Sequence, residues 1–119
     1  MPNSLTKNRH LTLIKQSHCC YYCGFPMWDN DPIPFISKYG VSPAQAQRVR
    51  CTAEHLRARC EGGSNASQNI VAACQFCNQT WHKARVPLDP ESYRQRVQER
   101  LAQGMWHPAR LRRLLLATG

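Results

Sequence analysis

The segment Cys74-Gln75-Phe76-Cys77-Asn78 decides how the chain is read, because a second cysteine pair of the same spacing, Cys20-Tyr21-Tyr22-Cys23-Gly24, stands 50 residues upstream. Four thiolates at about 2.3 Å from one zinc ion can close a structural site and pin two distant stretches together. Gly24 supplies the tight turn that two thiolates on one metal require. Cys19 offers a competing register, but only Cys20 gives the two-residue spacer. Cys51 falls on the inner face of an expected strand and reads as core, while Cys60 has no assignment. The alternative is that the paired cysteines are simply buried.

Working outward, the chain has 119 residues, the length of one domain, for which a stapling metal is useful. The formal charge is +9, and arginine supplies 12 of the 16 cationic side chains. Arginine's fork suits phosphate, so a polyanionic partner is indicated and nucleic acid leads. An odd count of seven cysteines would leave a thiol over in a disulfide framework. With no secretory signal and no stretch of membrane-spanning length, a reducing cytoplasm with zinc-bound thiolates is expected, and no membrane partner.

The sequence predicts a short helix over 9–18 that brings Leu11 and Ile14 onto one side. Residues 26–43 carry Pro26, Pro32, Pro34 and Pro43 and read as an irregular excursion. From Arg48 to Leu56 the alternation of Val49, Cys51 and Ala53 with Arg48, Arg50 and Thr52 predicts a half-buried strand that ends or bends at Glu54-His55. Asn69 to Ala73 predicts its hairpin partner across a wide loop, Glu61-Gly62-Gly63-Ser64-Asn65-Ala66-Ser67. A helix is expected over 75–86, stopped by Pro87, with Asn78, His82 and Arg85 on one face. Asp89 and Pro90 start the next helix, Gly104 closes it, and Tyr93, Val97 and Leu101 form its apolar stripe. A last helix near Pro108 sets Leu111, Leu114 and Leu115 against Arg110, Arg112 and Arg113. The motif core then spans about 20–86 and the basic C-terminal helices about 89–117.

Cys-Tyr-Tyr-Cys-Gly at 20–24, Ala-Glu-His-Leu at 53–56, Glu-Gly-Gly at 61–63, Asn-Ile-Val at 69–71 and Cys-Gln-Phe-Cys-Asn at 74–78 together resemble the HNH endonuclease family. The resemblance covers residues 20–85 and implies an α+β fold with a zinc-stapled ββα-metal (His-Me finger) core and flanking helices. It makes His55 the general base, Asn69 the middle asparagine of the motif, and Asn78 the final metal-ligand position. Glu54 takes the place of a further metal ligand. His82, one turn beyond Asn78, is either a third ligand or a helix-surface residue. The implied activity is divalent-metal-dependent hydrolysis of DNA, double-stranded, leaving 5′-phosphate and 3′-hydroxyl ends.

The same residues suit that chemistry on elementary grounds. A histidine with a pKa near ~6.5 is partly neutral and can take a proton from water. The oxygens of Glu54 and Asn78 suit Mg2+ or Mn2+, and His82 would move the preference toward Mn2+, Ni2+ or Zn2+. Asn69 would hold the loop that follows the first strand, keeping the imidazole aimed. Arg48, Arg50, Arg57, Arg59, Lys83 and Arg85 crowd the motif as a phosphate-tracking groove would require. Two other classes remain open: a zinc-ordered nucleic-acid-binding module without catalysis, and an interaction protein docking through its C-terminal helix. Monomer and homodimer are both compatible with the sequence.

Overall fold

The computed structural model describes residues 4–57 and 62–116. Arg59, Cys60 and Glu61 lie outside the described residues. The architecture is α+β: one two-stranded antiparallel sheet and, among the described residues, six α-helices. Strand β1 (Cys51–His55) pairs with β2 (Ile70–Cys74) from Cys51 opposite Cys74 to His55 opposite Ile70. Helix α4 (Gln75–Lys83) follows β2 without a linker, with Cys74 as its N-cap, and packs on both strands.

A two-stranded ribbon exposes two open edges, and both are covered here. Helix α1 (Ser4–Lys15) lies across both strands. Just past its end, Gln16 acts as a short surrogate strand. Its Nε2 donates to the Ala72 carbonyl at 2.8 Å and its Oε1 accepts from the Ala72 amide at 3.0 Å. The amide of Tyr21 adds a bond of 2.9 Å to the same carbonyl, and on the other edge Cys51 donates to Trp28 at 2.9 Å.

The helix expected at 9–18 starts and ends earlier, and it buries Leu13 rather than Leu11 and Ile14, which are 43% and 52% exposed. The segment 26–43 is irregular only in part. It forms α2 (Ile33–Tyr39), and α3 (Pro43–Arg48) begins at its end. Pro34 and Pro43 sit in the first turn of each, where a missing N–H costs no helical bond. Asp31 caps the first through the Ile33 amide, and Ser42 with Gln45 forms a reciprocal capping box on the second. Gly40, at φ 67, ends α2 in the left-handed region. Strand β1 therefore begins at Cys51 rather than Arg48, because Arg48 and Val49 complete α3.

Helix α4 also stops short of 86. It ends at Lys83, and the Trp81 indole reaches forward to the Leu88 carbonyl at 2.7 Å. Arg85 thus leaves the helical register that would have placed it beside Asn78 and His82. Helix α5 (Pro90–Ala102) matches expectation: Asp89 caps it through the Ser92 amide, and Tyr93, Val97 and Leu101 are buried. Helix α6 (Ala109–Leu116) buries Leu111 and Leu115. The two helices join a single core around Tyr22, Phe25, Val49 and Cys77. Among the described residues no helix is long and apolar enough to cross a membrane.

Candidate functional site

The Sγ atoms of Cys20, Cys23, Cys74 and Cys77 lie within 4.8 Å of one another, and all four residues are buried. Cys23 and Cys74 approach to 3.9 Å. A tetrahedral zinc with bonds of about 2.3 Å separates its sulfurs by about 3.8 Å, so the cage has the size of a four-thiolate metal site. Cys19 stands apart, half-buried, its thiol turned to the Ser17 carbonyl, which settles the register in favour of Cys20.

Backbone amides are directed at two of the four sulfurs. The amides of Tyr22, Cys23 and Cys74 point at Cys20 Sγ at 3.4, 3.5 and 3.3 Å, and the Cys77 amide at Cys74 Sγ at 3.4 Å. Burial pushes the Cys23 and Cys77 thiols well up, so without a cation these two stay neutral, and a metal such as zinc could hold all four residues as thiolates.

The C-terminal strap adds partners that the sequence did not reveal. Trp106 donates its indole N–H to Cys77 Sγ at 3.3 Å, and Tyr93 donates its hydroxyl to the Cys77 carbonyl at 2.6 Å. Arg48 has a different task from the phosphate contact expected of it. Its Nε donates to His107 Nδ1 at 3.0 Å, its Nη2 to the Trp106 carbonyl at 2.8 Å, and its Cζ lies 3.5 Å from the Phe76 ring centre. Burial disfavours its charge, while the sulfurs of Cys74, Cys77 and Cys23 favour it. Among the described residues His107 is one of two buried polar or charged ones; burial, then Arg48, pushes its pKa down to about 4.

The other buried polar residue is Glu54, 2% exposed. It sits near the end of β1 and is directed to α4, where His82 Nε2 lies 3.5 Å from Glu54 Oε2. That separation is an ion-pair distance without hydrogen-bond geometry, and among the described residues Oε2 has no hydrogen-bond partner. Burial raises the carboxyl to about 7, against a hydrogen bond from the His55 backbone amide. An anion in this position calls for a cationic partner. Asn78, one turn before His82, donates its Nδ2 to Thr52 Oγ1 at 2.9 Å, which leaves its oxygen as the atom free to coordinate.

His55 is the last residue of β1, so the strand ends at the expected place, with Glu54 and His55 both still in register with β2. The His55 ring turns to the connecting loop, its Nε2 2.8 Å from Asn65 Oδ1. Asn69 clamps that loop. Its Oδ1 accepts from the Arg57 amide at 2.8 Å, and its Nδ2 donates to the carbonyls of Arg57 and Ser64 at 3.1 and 2.7 Å. Arg50, Arg57, Lys83 and Arg85 are exposed, and among the described residues none of them makes an ion pair.

No protein-family model, curated protein or solved structure matches this chain.

Proposed function

We propose that the protein is a metal-dependent nuclease of HNH type, with β1, β2 and α4 as a ββα-metal core stapled by zinc. The observation that carries this reading is the buried Glu54 carboxylate with an oxygen facing His82, next in sequence to a histidine whose loop is clamped by Asn69. Neighbouring ligands on a six-coordinate cation at about 2.1 Å stand about 3 Å apart. The 3.5 Å between Glu54 and His82 is close to that span, so these two fit as ligands of one divalent cation, and Asn78, one turn before His82 on α4, would be the third. When bound, the cation would stabilise charge on the phosphoryl oxygens and on the departing 3′ oxygen.

The remaining chemistry belongs to the chain. Neutral His55 takes a proton from a water molecule as its oxygen attacks the scissile phosphorus. The bond from phosphorus to the 3′ oxygen breaks, leaving 5′-phosphate and 3′-hydroxyl ends. Asn69 holds the loop that carries the base's partner, and Arg50, Arg57, Lys83 and Arg85 are free to pair with backbone phosphates.

A plasmid-nicking assay tests this. Brief chelation should stop cleavage without unfolding, since an open oxygen-rich site exchanges its metal while the thiolate site does not. Added Mg2+ or Mn2+ should restore it in wild type but not in Glu54→Ala. His55→Ala should lose roughly 10²–10⁴-fold in rate with DNA affinity retained. The 3.5 Å contact also favours a second reading, in which Glu54 and His82 form a structural ion pair in a nucleic-acid-binding module. Absence of cleavage with every cation would select that one.

A further inference from the structure

The His55 imidazole is held by a side chain outside the set assigned so far. Its Nε2 faces Asn65 Oδ1 at 2.8 Å, with both residues half-buried. An amide oxygen only accepts, so the ring nitrogen facing it carries the proton. In the neutral ring this leaves Nδ1 as the nitrogen able to receive one.

Asn65 is fixed from two directions. Asn8 of α1 donates its Nδ2 to the Asn65 carbonyl at 2.6 Å, and the Thr12 hydroxyl donates to the Asn8 carbonyl one turn along the same helix. From the other side, Asn69 holds the Ser64 carbonyl, the peptide unit that leads into Asn65. A loop residue tied down at its own and its neighbouring carbonyl has little freedom to swing its side chain away. A single hydrogen bond then defines which nitrogen of the ring is protonated and where the ring points.

We propose that Asn65 is the positioning residue of the base, holding His55 as the Nε2–H tautomer with Nδ1 presented to water, and that α1 anchors it through Asn8. The inference rests on His55 being the base, but its first readout does not depend on activity. Nitrogen-15 spectra of the neutral His55 ring should give one Nε2–H form in wild type and a mixture of tautomers in Asn65→Ala. Asn65→Ala should also lower kcat roughly 10- to 100-fold at unchanged KM, since a mis-aimed base still binds DNA. Asn65→Asp, which keeps an accepting oxygen, should restore both, and Asn8→Ala should broaden the tautomer population partway. A wild-type ring protonated at Nδ1, a wild-type spectrum in Asn65→Ala, or a wild-type kcat in that variant each overturns the proposal. Should Asn65→Ala fail to fold, a wild-type spectrum in Asn8→Ala overturns the anchor, and loss of the Nε2–H form in Asn65→Asp overturns the rest. Should wild type cleave no DNA with any cation, the base reading falls by itself, and the spectra alone decide whether Asn65 fixes the ring.

Discussion

His107 illustrates how one side chain can set a pH limit for the whole fold. Its Nδ1 accepts a hydrogen bond from Arg48, which an imidazolium cannot do, and the ring is stacked on Phe25 with centroids 4.4 Å apart. Burial and the adjacent guanidinium lower its pKa from 6.5 to about 4. Between those values the unfolded chain binds a proton that the folded chain refuses. Stability therefore falls as pH drops through that window, by up to about 1.4 kcal/mol per unit, and is unaffected by this group above it. His107→Gln keeps an oxygen for Arg48 but cannot titrate. Urea unfolding at several pH values should show a shallower decline for the variant between pH 6.5 and 4. Parallel curves would assign the acid sensitivity to other groups.

At the scale of elements, the C-terminal helices and the turn between them pack against the four-cysteine cluster. Tyr93 on α5 and Trp106 in the α5–α6 turn both bond Cys77, while Leu111 and Leu115 of α6 are buried. Trp106 adopts φ 82, an uncommon region for a non-glycine residue, and its carbonyl is held there by Arg48. A hydrogen bond to a charged sulfur contributes about 1.5 kcal/mol or more, roughly tenfold in metal affinity. Trp106→Phe keeps the ring and removes the N–H, so zinc should pass to a competing chelator at lower chelator concentration. Unchanged competition would mean the indole only fills space. Leu111→Ala should cost about 2–5 kcal/mol of stability, measurable by urea unfolding; a smaller loss would mean α6 docks loosely.

For the whole molecule, the radius of gyration of 14.2 Å compares with about 13.5 Å for a single domain of this length, and the chain is flattened to 42 × 37 × 21 Å. The +9 charge makes a steep salt dependence of DNA affinity the expected behaviour. Arg48 is committed to bonds inside the fold, whereas Arg57 and Lys83 are exposed. Arg57→Ala or Lys83→Ala should each reduce the slope of log affinity against log salt by about 1. Arg48→Ala should leave the slope alone and lower the melting temperature, because its donors serve Trp106 and His107. A slope change in Arg48→Ala, or none in the other two, would reverse that division.

Sequence by itself determined the features that depend on spacing and on local chemistry. Two cysteine pairs with two-residue spacers had to form turns that gather sulfur, and they converge within 4.8 Å. Alternation and loop composition marked the hairpin, and Asp89-Pro90 with the Tyr93, Val97 and Leu101 stripe marked α5, because caps and amphipathic periodicity act within a few residues. The part of Asn69 in holding the loop followed from the resemblance and not from the residue alone, because its bonds to Arg57 span 12 positions. Tertiary structure alone decided the rest. The helices of 26–43 are an exception, since their prolines fit helix starts and the Ser42–Gln45 capping box is a local signal that the sequence already carried. Which face of α1 is buried depends on how it crosses the sheet, so Leu13 is chosen over Leu11 and Ile14. Asn65 has the composition of any turn former. Its bond to His55, like the bonds of Arg48 to residues 58 and 59 positions away, exists only because the folded chain closes those distances.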